Sequence, residues 1–257
     1  MISVVIPTYK RPDLLARLLE SICQQTLQPS EVIVVDDASG MDQAYHICID
    51  RFKPRLPGLR FHGLAVNSGA PHARNTGIRL AKGEWIALVD DDDEWLPEKL
   101  AKQRLVAEKA PQSVGLIYTW TQAQGFGDQA SYTSKHYVRG DARRAILSTN
   151  FIMSASVMVR KPAIEQAGLF DEALPSCQDW DMWTRIFLKG FRCEVVPEVL
   201  TIYHRHGGES IGLSPRAKLG YKLFLDRHFA AIVRHTSLLN ILKKAWLYFQ
   251  VWRVSHG

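Results

Sequence analysis

Hydrophobic residues in the first half of the chain fall in short runs that alternate with longer amphipathic stretches. Ile2–Ile6, Val32–Val35 and Trp85–Val89 are rich in β-branched and aromatic residues, which is typical of buried parallel strands. Asp13–Gln24 repeats leucine and isoleucine at helical spacing, and Pro12 before it suits the first turn of a helix. This alternation predicts an α/β domain with a mostly parallel sheet and right-handed crossovers.

The second half of the chain continues with shorter elements and one long polar stretch. Four further strands are predicted, at Val114–Thr121, Ser154–Arg160, Phe191–Val196 and Val199–His204. Gln122–Arg139 is polar with glycine and aromatic residues, and it is predicted to be a mobile loop that covers a ligand. Asp179–Leu188 has helical spacing. We expect one domain over residues 1–215 and a C-terminal helical extension over residues 216–257.

The end of the chain mixes apolar, aromatic and basic residues. Leu238–Arg253 contains leucine, tryptophan, tyrosine and phenylalanine together with three basic side chains. This composition is typical of an interfacial helix, so we expect residues 238–254 to contact the inner membrane from its cytoplasmic face. The same pattern also suits a helix packed on the domain or one in a homodimer contact. These alternatives stay open at the level of sequence.

Composition and charge narrow the class of protein. The 257 residues are 46% hydrophobic, which is enough to bury the core of one large domain. A formal charge of +6 favours an anionic partner such as a nucleotide or a lipid surface, and without a Lys/Arg tract we expect no nucleic acid. Four cysteines without a Cys-x-x-Cys pair argue against zinc. Because the chain opens on a strand without a signal peptide or spanning segment, we expect a cytoplasmic protein.

The strongest chemical signal is a run of acidic residues directly after a predicted strand. Asp90–Glu94 follows Trp85–Val89, and the loops at Thr8 and Asp36 also follow strands. In a parallel sheet these three loops share one edge, where ligands bind. Adjacent carboxylates repel one another, and Mg²⁺ or Mn²⁺ removes that cost because hard cations prefer oxygen ligands. A solvated acidic loop is the alternative interpretation.

Five segments carry a resemblance to a known family. They are Ser3–Tyr9, Val34–Ser39, Asn67–Gly77, Gly83–Asp93 and Gly168–Trp183. In this order they resemble the family-2 glycosyltransferases, over roughly the first 210 residues. The resemblance implies a three-layer α/β/α, Rossmann-like fold of the glycosyltransferase A type. It also implies a nucleotide-sugar-binding half over 1–120 and an acceptor-binding half over 121–215.

The resemblance also implies which residues bind the donor, which we expect to be a UDP-sugar. Pro7, Thr8 and Tyr9 match the loop that packs against the base, although ordinary loop packing also explains them. Asp37 matches the residue that accepts a hydrogen bond from the base, and Arg74 matches a basic position near the diphosphate. Asp90 and Asp91 match positions that contact the ribose or make water-mediated contacts. A turn or helix cap is the alternative for Asp37.

The metal ligands and the catalytic base follow from the same resemblance. Asp92 matches the direct ligand of Mn²⁺ or Mg²⁺, with a register uncertain by one position because four aspartates are consecutive. His206 matches a further ligand, and His204 competes for that role. Asp179 matches the base of an inverting transferase, at a position where the family usually has Glu-Asp and this chain has Gln-Asp. The alternative for Asp179 is a helix cap, and Asp181 is expected to point away and hold the base or an acceptor.

These features together predict an inverting, metal-dependent glycosyltransferase. It would add a single sugar to a hydroxyl of a glycan or lipid-linked acceptor in cell-surface polysaccharide biosynthesis. The lack of spanning helices and of a Gln-x-x-Arg-Trp element argues against a processive synthase. A nucleotidyltransferase is one alternative, disfavoured because the loop after the first strand has no glycine. A non-catalytic nucleotide-sugar-binding protein is the other.

Overall fold

The computed structural model describes residues 1–125, 127, 130–204 and 215–255. Residues 215 and 247–255 are described by their backbone only. The strands in these ranges are β1 (Ile2–Thr8), β2 (Glu31–Asp36), β3 (Leu59–Gly63), β4 (Trp85–Leu88), β5 (Glu94–Trp95), β6 (Val114–Gln124), β7 (Tyr132–Ser134), β8 (Met158–Arg160) and β9 (Arg192–His204). The α-helices are α1 (Pro12–Cys23), α2 (Asp42–Phe52), α3 (Ala70–Leu80), α4 (Lys99–Lys109), α5 (Arg143–Ser148), α6 (Lys161–Gln166), α7 (Gln178–Leu188), α8 (Pro215–His235) and α9 (Leu238–Ser255).

The described strands form one mixed sheet with the order β3-β2-β1-β4-β8-β6-β9-β5, and β7 pairs with β6. β1 to β4 are parallel to one another, as are β6 and β9. β8 lies between β4 and β6 and is antiparallel to both. β5 pairs antiparallel with β9, and β7 pairs antiparallel with β6. The predicted α/β fold is therefore confirmed, with the antiparallel strands on one side of the sheet, beyond β4.

The strand register brings the predicted loops to one edge of the sheet. Thr8 pairs with Asp36 at the end of β1 and β2, and Val5 pairs with Leu88 near the end of β4. The acidic run follows β4 directly, so it emerges beside the loop after β1. This edge is the carboxyl end of the parallel strands, where open α/β sheets bind ligands.

The core lies in two apolar layers, one on each face of the sheet. Alternate side chains of β1 divide between them, with Val4 and Ile6 in one layer and Val5 in the other. α3 packs very closely on the Val5 face, since a Cβ on Gly77 would lie 2.4 Å from a Val5 methyl. Only glycine allows that approach of α3 to the sheet.

Two sequence predictions in the second half are wrong in part. Phe191–Val196 and Val199–His204 are one strand, β9, because a bulge at Pro197 lets the ladder resume: Thr119 pairs with Val196 and Trp120 with Val199. The predicted loop Gln122–Arg139 instead begins with the end of β6, which pairs antiparallel with β7. Positions 126, 128 and 129 of that stretch lie outside the described residues.

The C-terminal helices pack on the second half of the domain. Phe224, Leu225 and Ile232 of α8 are buried in the same apolar layer as Trp180 of α7. The Trp180 and Phe224 rings stack with centroids 4.1 Å apart. Among the helices in the described part of the chain, none is both long and apolar enough to cross a bilayer.

Candidate active site

The loop after β1 is tied directly to the acidic run. Thr8 Oγ1 donates to Asp91 Oδ2 at 2.6 Å, and the Tyr45 hydroxyl lies 2.8 Å from the same threonine oxygen. Lys10 takes a left-handed backbone conformation with φ of 56°, which turns the chain so that Arg11 reaches back over the sheet edge. Tyr9 is 40% exposed at this turn. The loop therefore offers an accessible ring above a buried threonine and carboxylate.

Asp37 holds the loop that leads into α3. Its two carboxylate oxygens accept hydrogen bonds from the Ser68 amide at 2.8 Å and the Gly69 amide at 2.7 Å. Asn67 Nδ2 donates to the Asp37 carbonyl at 2.9 Å. Each carboxylate oxygen can accept a further hydrogen bond. Asp37 thus fixes the loop and retains capacity to accept a base N–H.

The consecutive aspartates alternate between the cleft and the interior. Asp90 and Asp92 are part-exposed, with 32% and 16% of their side chains accessible, and each faces an arginine. Arg74 Nη2 lies 2.5 Å from Asp90 Oδ1, and Arg11 Nη1 lies 2.7 Å from Asp92 Oδ2. Asp90 and Asp92 are therefore the accessible pair of the run.

The other two aspartates of the run are buried. Burial raises the pKa of Asp91 to about 7, although the Thr8 hydroxyl and Arg11 lower it. Burial also raises the pKa of Asp93 well above its ordinary value, and the neighbouring carboxylates of Asp90 and Asp92 raise it further. Asp93 Oδ1 accepts a hydrogen bond from the His204 amide at 3.3 Å, which joins the run to β9. Burial therefore favours the protonated form of both carboxyl groups.

The donor atoms of the run suit a hard divalent cation, but they do not form a complete site. Among the residues that the structure describes, no three acidic, histidine or cysteine side chains converge on a common point. Asp90 and Asp92 offer carboxylate oxygens at the cleft, which is the chemistry that Mg²⁺ and Mn²⁺ prefer. His204 Nε2 lies 2.7 Å from Glu94 Oε1 and is thereby engaged. The predicted ligand His206 lies outside the described residues.

Asp179 stands at the start of α7 and faces the same cleft. Its Oδ2 accepts a hydrogen bond from Asn150 Nδ2 at 3.1 Å, and its Oδ1 accepts one from the Trp180 amide at 2.7 Å. Burial raises the pKa of Asp179, and the charge of Asp90 raises it further. The hydrogen bond from Asn150 and the charge of Arg74 lower it. The charges of Arg74 and Asp90 both shift the pKa of Asp179, which indicates that Asp179 lies near the acidic run.

The expectation for Asp181 is wrong in part: its side chain points away as expected, but it does not hold the proposed base. Its side chain is fully buried, and it lies 2.8 Å from Arg185 and His228 and 3.0 Å from Arg227. It holds neither the Asp179 carboxylate nor a position in the cleft. A buried carboxylate requires such partners, and here they connect α7 to α8.

Three residues that contribute to the site carried little signal in the sequence. Arg11 contacts Asp91 and Asp92, at 2.9 Å and 2.7 Å, from the loop after β1. Asn150 reaches Asp179 from a segment between α5 and the 3-10 turn at Ser154–Ser156. Tyr45 reaches Thr8 from α2. A basic residue beside a strand-end loop was a possible indication for Arg11, whereas the other two are contacts of the tertiary fold alone.

Comparison with known proteins agrees with this geometry. The family model described as "Glycosyl transferase family 2" matches residues 3–168. The glycosyltransferase YwdF of Bacillus subtilis, described as uncharacterized, is 33% identical over 231 residues, which cover 88% of this chain and 82% of that protein. A putative colanic acid biosynthesis glycosyl transferase of Escherichia coli, WcaA, is 30% identical and covers 89% of this chain and 81% of that protein.

Solved structures share the fold at lower sequence identity. S. aureus TarS 1-349 in complex with UDP-GlcNAc superposes with a TM-score of 0.72 at 22% identity, covering 98% of this chain and 71% of that chain. A mannosyltransferase from Pyrobaculum calidifontis, in complex with GDP-Man and Mn²⁺, gives a TM-score of 0.66 at 22% identity, over 98% of this chain and 73% of that one. Together with the family match, these likenesses establish that the chain belongs to glycosyl transferase family 2 and is a glycosyltransferase of the A-type fold.

Proposed function

We propose that this glycosyltransferase transfers one sugar at a time, with inversion, from a nucleoside diphosphate sugar to a hydroxyl group. A UDP-sugar is the expected donor. The expected acceptor is a glycan or a lipid-linked sugar in cell-surface polysaccharide biosynthesis. The observation that carries the proposal is the ion pair of Arg74 with Asp90, whose charges both shift the pKa of the nearby Asp179 carboxylate. A base, a cation for phosphate and carboxylates for a divalent ion are what this reaction needs.

Asp179 is the proposed general base. It takes the proton from the acceptor hydroxyl as that oxygen attacks the anomeric carbon of the sugar. The bond from this carbon to the diphosphate oxygen breaks, and its electron pair leaves with the nucleoside diphosphate. Burial favours this role, because a raised pKa makes Asp179 a better proton acceptor than an exposed aspartate. The hydrogen bond from Asn150 fixes the orientation of the carboxylate.

The donor is proposed to lie along the sheet edge between the first loop and α3. Pro7, Thr8 and Tyr9 would pack against the base, and Asp37 would accept a hydrogen bond from it. The Arg74 guanidinium, 11% exposed, stands between Asp90 and Asp179 and would offset the charge of the diphosphate. Asp90 is proposed to contact the ribose directly or through water. Asp91 is fully buried, which argues against the direct ribose contact expected for it, and it contacts Thr8 and Arg11 instead.

The residues proposed to hold Mn²⁺ or Mg²⁺ are Asp92, with Asp90 beside it, and His206. A bound divalent ion stabilises the negative charge that develops on the leaving diphosphate. The two cleft-facing carboxylates contact Arg11 and Arg74. These arginines compensate the carboxylates electrostatically and are themselves suited to phosphate.

The relatives support the choice of donor and pathway. The TarS structures contain UDP or UDP-GlcNAc, and the Pyrobaculum mannosyltransferase contains GDP-Man and Mn²⁺. The Escherichia coli relative is described as a putative enzyme of colanic acid biosynthesis. These proteins favour a nucleoside diphosphate donor and a surface polysaccharide, and they leave uridine and guanosine as the bases to compare.

The test has a binding arm and a turnover arm. We expect UDP to raise the melting temperature in the presence of Mn²⁺ more than GDP does, because stabilisation follows affinity. We expect Asp179→Asn to keep this shift and to lose transfer, measured as release of UDP in the presence of an acceptor glycan. Release of pyrophosphate would contradict the proposal in favour of nucleotidyl transfer. Undiminished turnover by Asp179→Asn would remove the base assignment.

A further inference from the structure

The two C-terminal helices carry an excess of positive charge. Residues 215–255, which form the α8–α9 hairpin, contain eight lysine and arginine residues and one aspartate. Their formal charge is therefore +7, whereas the whole chain has +6. The remainder of the chain is close to neutral. The attraction of this protein to an anionic surface is thus concentrated in one structural unit.

The same hairpin exposes large apolar side chains in a helical pattern. On α9, Leu238, Leu242 and Trp246 are four residues apart and therefore lie on one face. Phe229 and Val233 form a similar exposed pair on α8. A lone exposed apolar residue needs no explanation, but a row of them beside basic residues is the pattern of an interfacial helix.

A groove lies between the two helices. It has a volume of about 400 Å³ and is lined mainly by apolar side chains, which include Leu225, Phe229, Ile232 and Ile241. Its dimensions and lining suit a hydrocarbon chain better than a polar ligand. Asp226 at its rim is engaged by Lys222 at 2.7 Å, which leaves the groove without a free carboxylate among the residues described.

Lys244 is the charged group of this groove. Its side chain is 5% exposed, and Nζ lies 4.7 Å from the centre of the Trp180 ring and 5.6 Å from that of Tyr221. Within the described part of the chain, neither a carboxylate nor a hydrogen-bond acceptor pairs with this ammonium. Burial lowers the pKa of Lys244 to about 8, as expected for a desolvated ammonium. An anion beside it would relieve that cost.

We propose that the α8–α9 hairpin docks on an anionic phospholipid membrane, and that its groove receives a lipid whose phosphate lies beside Lys244. The exposed apolar side chains enter the interface, and the surrounding lysines and arginines contact the headgroups. Charge complementarity selects an anionic lipid surface rather than a neutral one. The proposal does not depend on the identity of the sugar donor or acceptor.

The docking would bring the membrane close to the chemistry. Trp180, which carries the Lys244 ammonium on its ring, follows Asp179 in the chain and donates its amide hydrogen to that carboxylate. A lipid phosphate beside Lys244 would therefore lie near the ring of the residue that follows the proposed base in the chain. This arrangement suits an acceptor presented at a membrane surface.

The test is co-sedimentation of the full chain with vesicles of phosphatidylcholine alone or with one third phosphatidylglycerol. We expect binding to the anionic vesicles and at least about tenfold weaker binding to the neutral ones. Leu242→Asp should reduce anionic-vesicle binding about tenfold, because a charge then replaces an inserting side chain. Leu105→Asp on α4 is the matched control, since Leu105 and Leu242 are 57% and 58% exposed, and it should bind normally.

A second pair of variants tests the groove. Lys244→Met and Lys243→Met each remove one positive charge, the first in the groove and the second at an exposed neighbouring position. We expect the Lys244 variant to lose several-fold more binding to anionic vesicles. Equal losses would overturn the groove assignment. Equal binding by Leu242→Asp and Leu105→Asp would overturn the proposal that the hairpin docks on a membrane. A dimer that is stable without vesicles and that Leu242→Asp dissociates would also overturn it. Circular dichroism melting of each variant shows that the fold is retained.

Discussion

Asn150 Nδ2 donates a hydrogen bond to Asp179 Oδ2 across 3.1 Å, which joins the segment after α5 to the first turn of α7. The other Asp179 oxygen accepts from the Trp180 amide, so both oxygens are fixed by protein donors. The Asn150 Oδ1 atom is buried and has no hydrogen-bond partner among the described residues. Asn150 therefore positions the proposed base.

Replacing Asn150 with alanine should lower kcat about 10- to 100-fold, because a misoriented base loses its near-attack geometry. The Asn150 hydrogen bond lowers the pKa of Asp179, so its removal should raise that pKa further. The base acts when deprotonated. The rising limb of the plot of kcat/KM against pH should therefore move to higher pH. Thr149→Ala, an exposed neighbour, is the control. An unmoved limb would contradict the positioning role.

Arg74 should determine the affinity for the diphosphate. Replacing Arg74 with alanine removes the cation between Asp90 and Asp179, and we expect Kd for UDP to rise about 10-fold or more. Kd for uridine, which lacks phosphate, should change little. Isothermal titration calorimetry measures both. Arg79→Ala on the exposed side of α3 is the matched control, and an equal loss in that variant would show a nonspecific charge effect.

Asp92 should carry the metal dependence of donor binding. We expect EDTA to abolish the Mn²⁺-dependent part of the thermal stabilisation by UDP, and Asp92→Asn to do the same in the presence of Mn²⁺. The reason is that a neutral amide is a poorer ligand for a hard cation than a carboxylate. Asp50→Asn, at an exposed position on α2, should keep the full shift. A full shift in Asp92→Asn would move the ligand role to Asp90.

Asp181 should be a stability residue rather than a catalytic one. Its partners Arg185, Arg227 and His228 hold its pKa below the ordinary value despite burial. Replacing it with asparagine leaves buried positive charge uncompensated and should cost about 3–5 kcal/mol of unfolding free energy at pH 7. Urea denaturation measures this. The Asp226→Asn variant, which loses only an exposed pair with Lys222, should lie within about 1 kcal/mol of the original.

The pH dependence of that loss follows from the sign of the shift. The folded pKa of Asp181 is lower than its unfolded pKa, so its stabilisation is complete above the unfolded value. It disappears as the pH falls through the folded value, where the carboxylate becomes protonated. The difference between the original chain and Asp181→Asn should therefore shrink in acid. A difference that stays constant down to the lowest pH would contradict this assignment.

The sequence by itself determined the fold class, the family and the sheet edge that forms the cleft. Local patterns were sufficient, because β-branched runs such as Val32–Val35 and amphipathic stretches such as Asp13–Gln24 depend on nearby residues alone. The acidic run was identifiable for the same reason. Its position directly after a buried strand placed it at the carboxyl edge of the sheet.

Only the tertiary structure decided which carboxylates are accessible and which are buried. Asp90 and Asp92 face the cleft whereas Asp91 and Asp93 are buried, and consecutive identical residues carry no local signal of that difference. Asp179 and Asp181 look equivalent in the sequence, yet Asn150 reaches one and α8 neutralises the other. Burial and charge compensation arise from segments far apart in the chain. They appear only when folding brings those segments into contact.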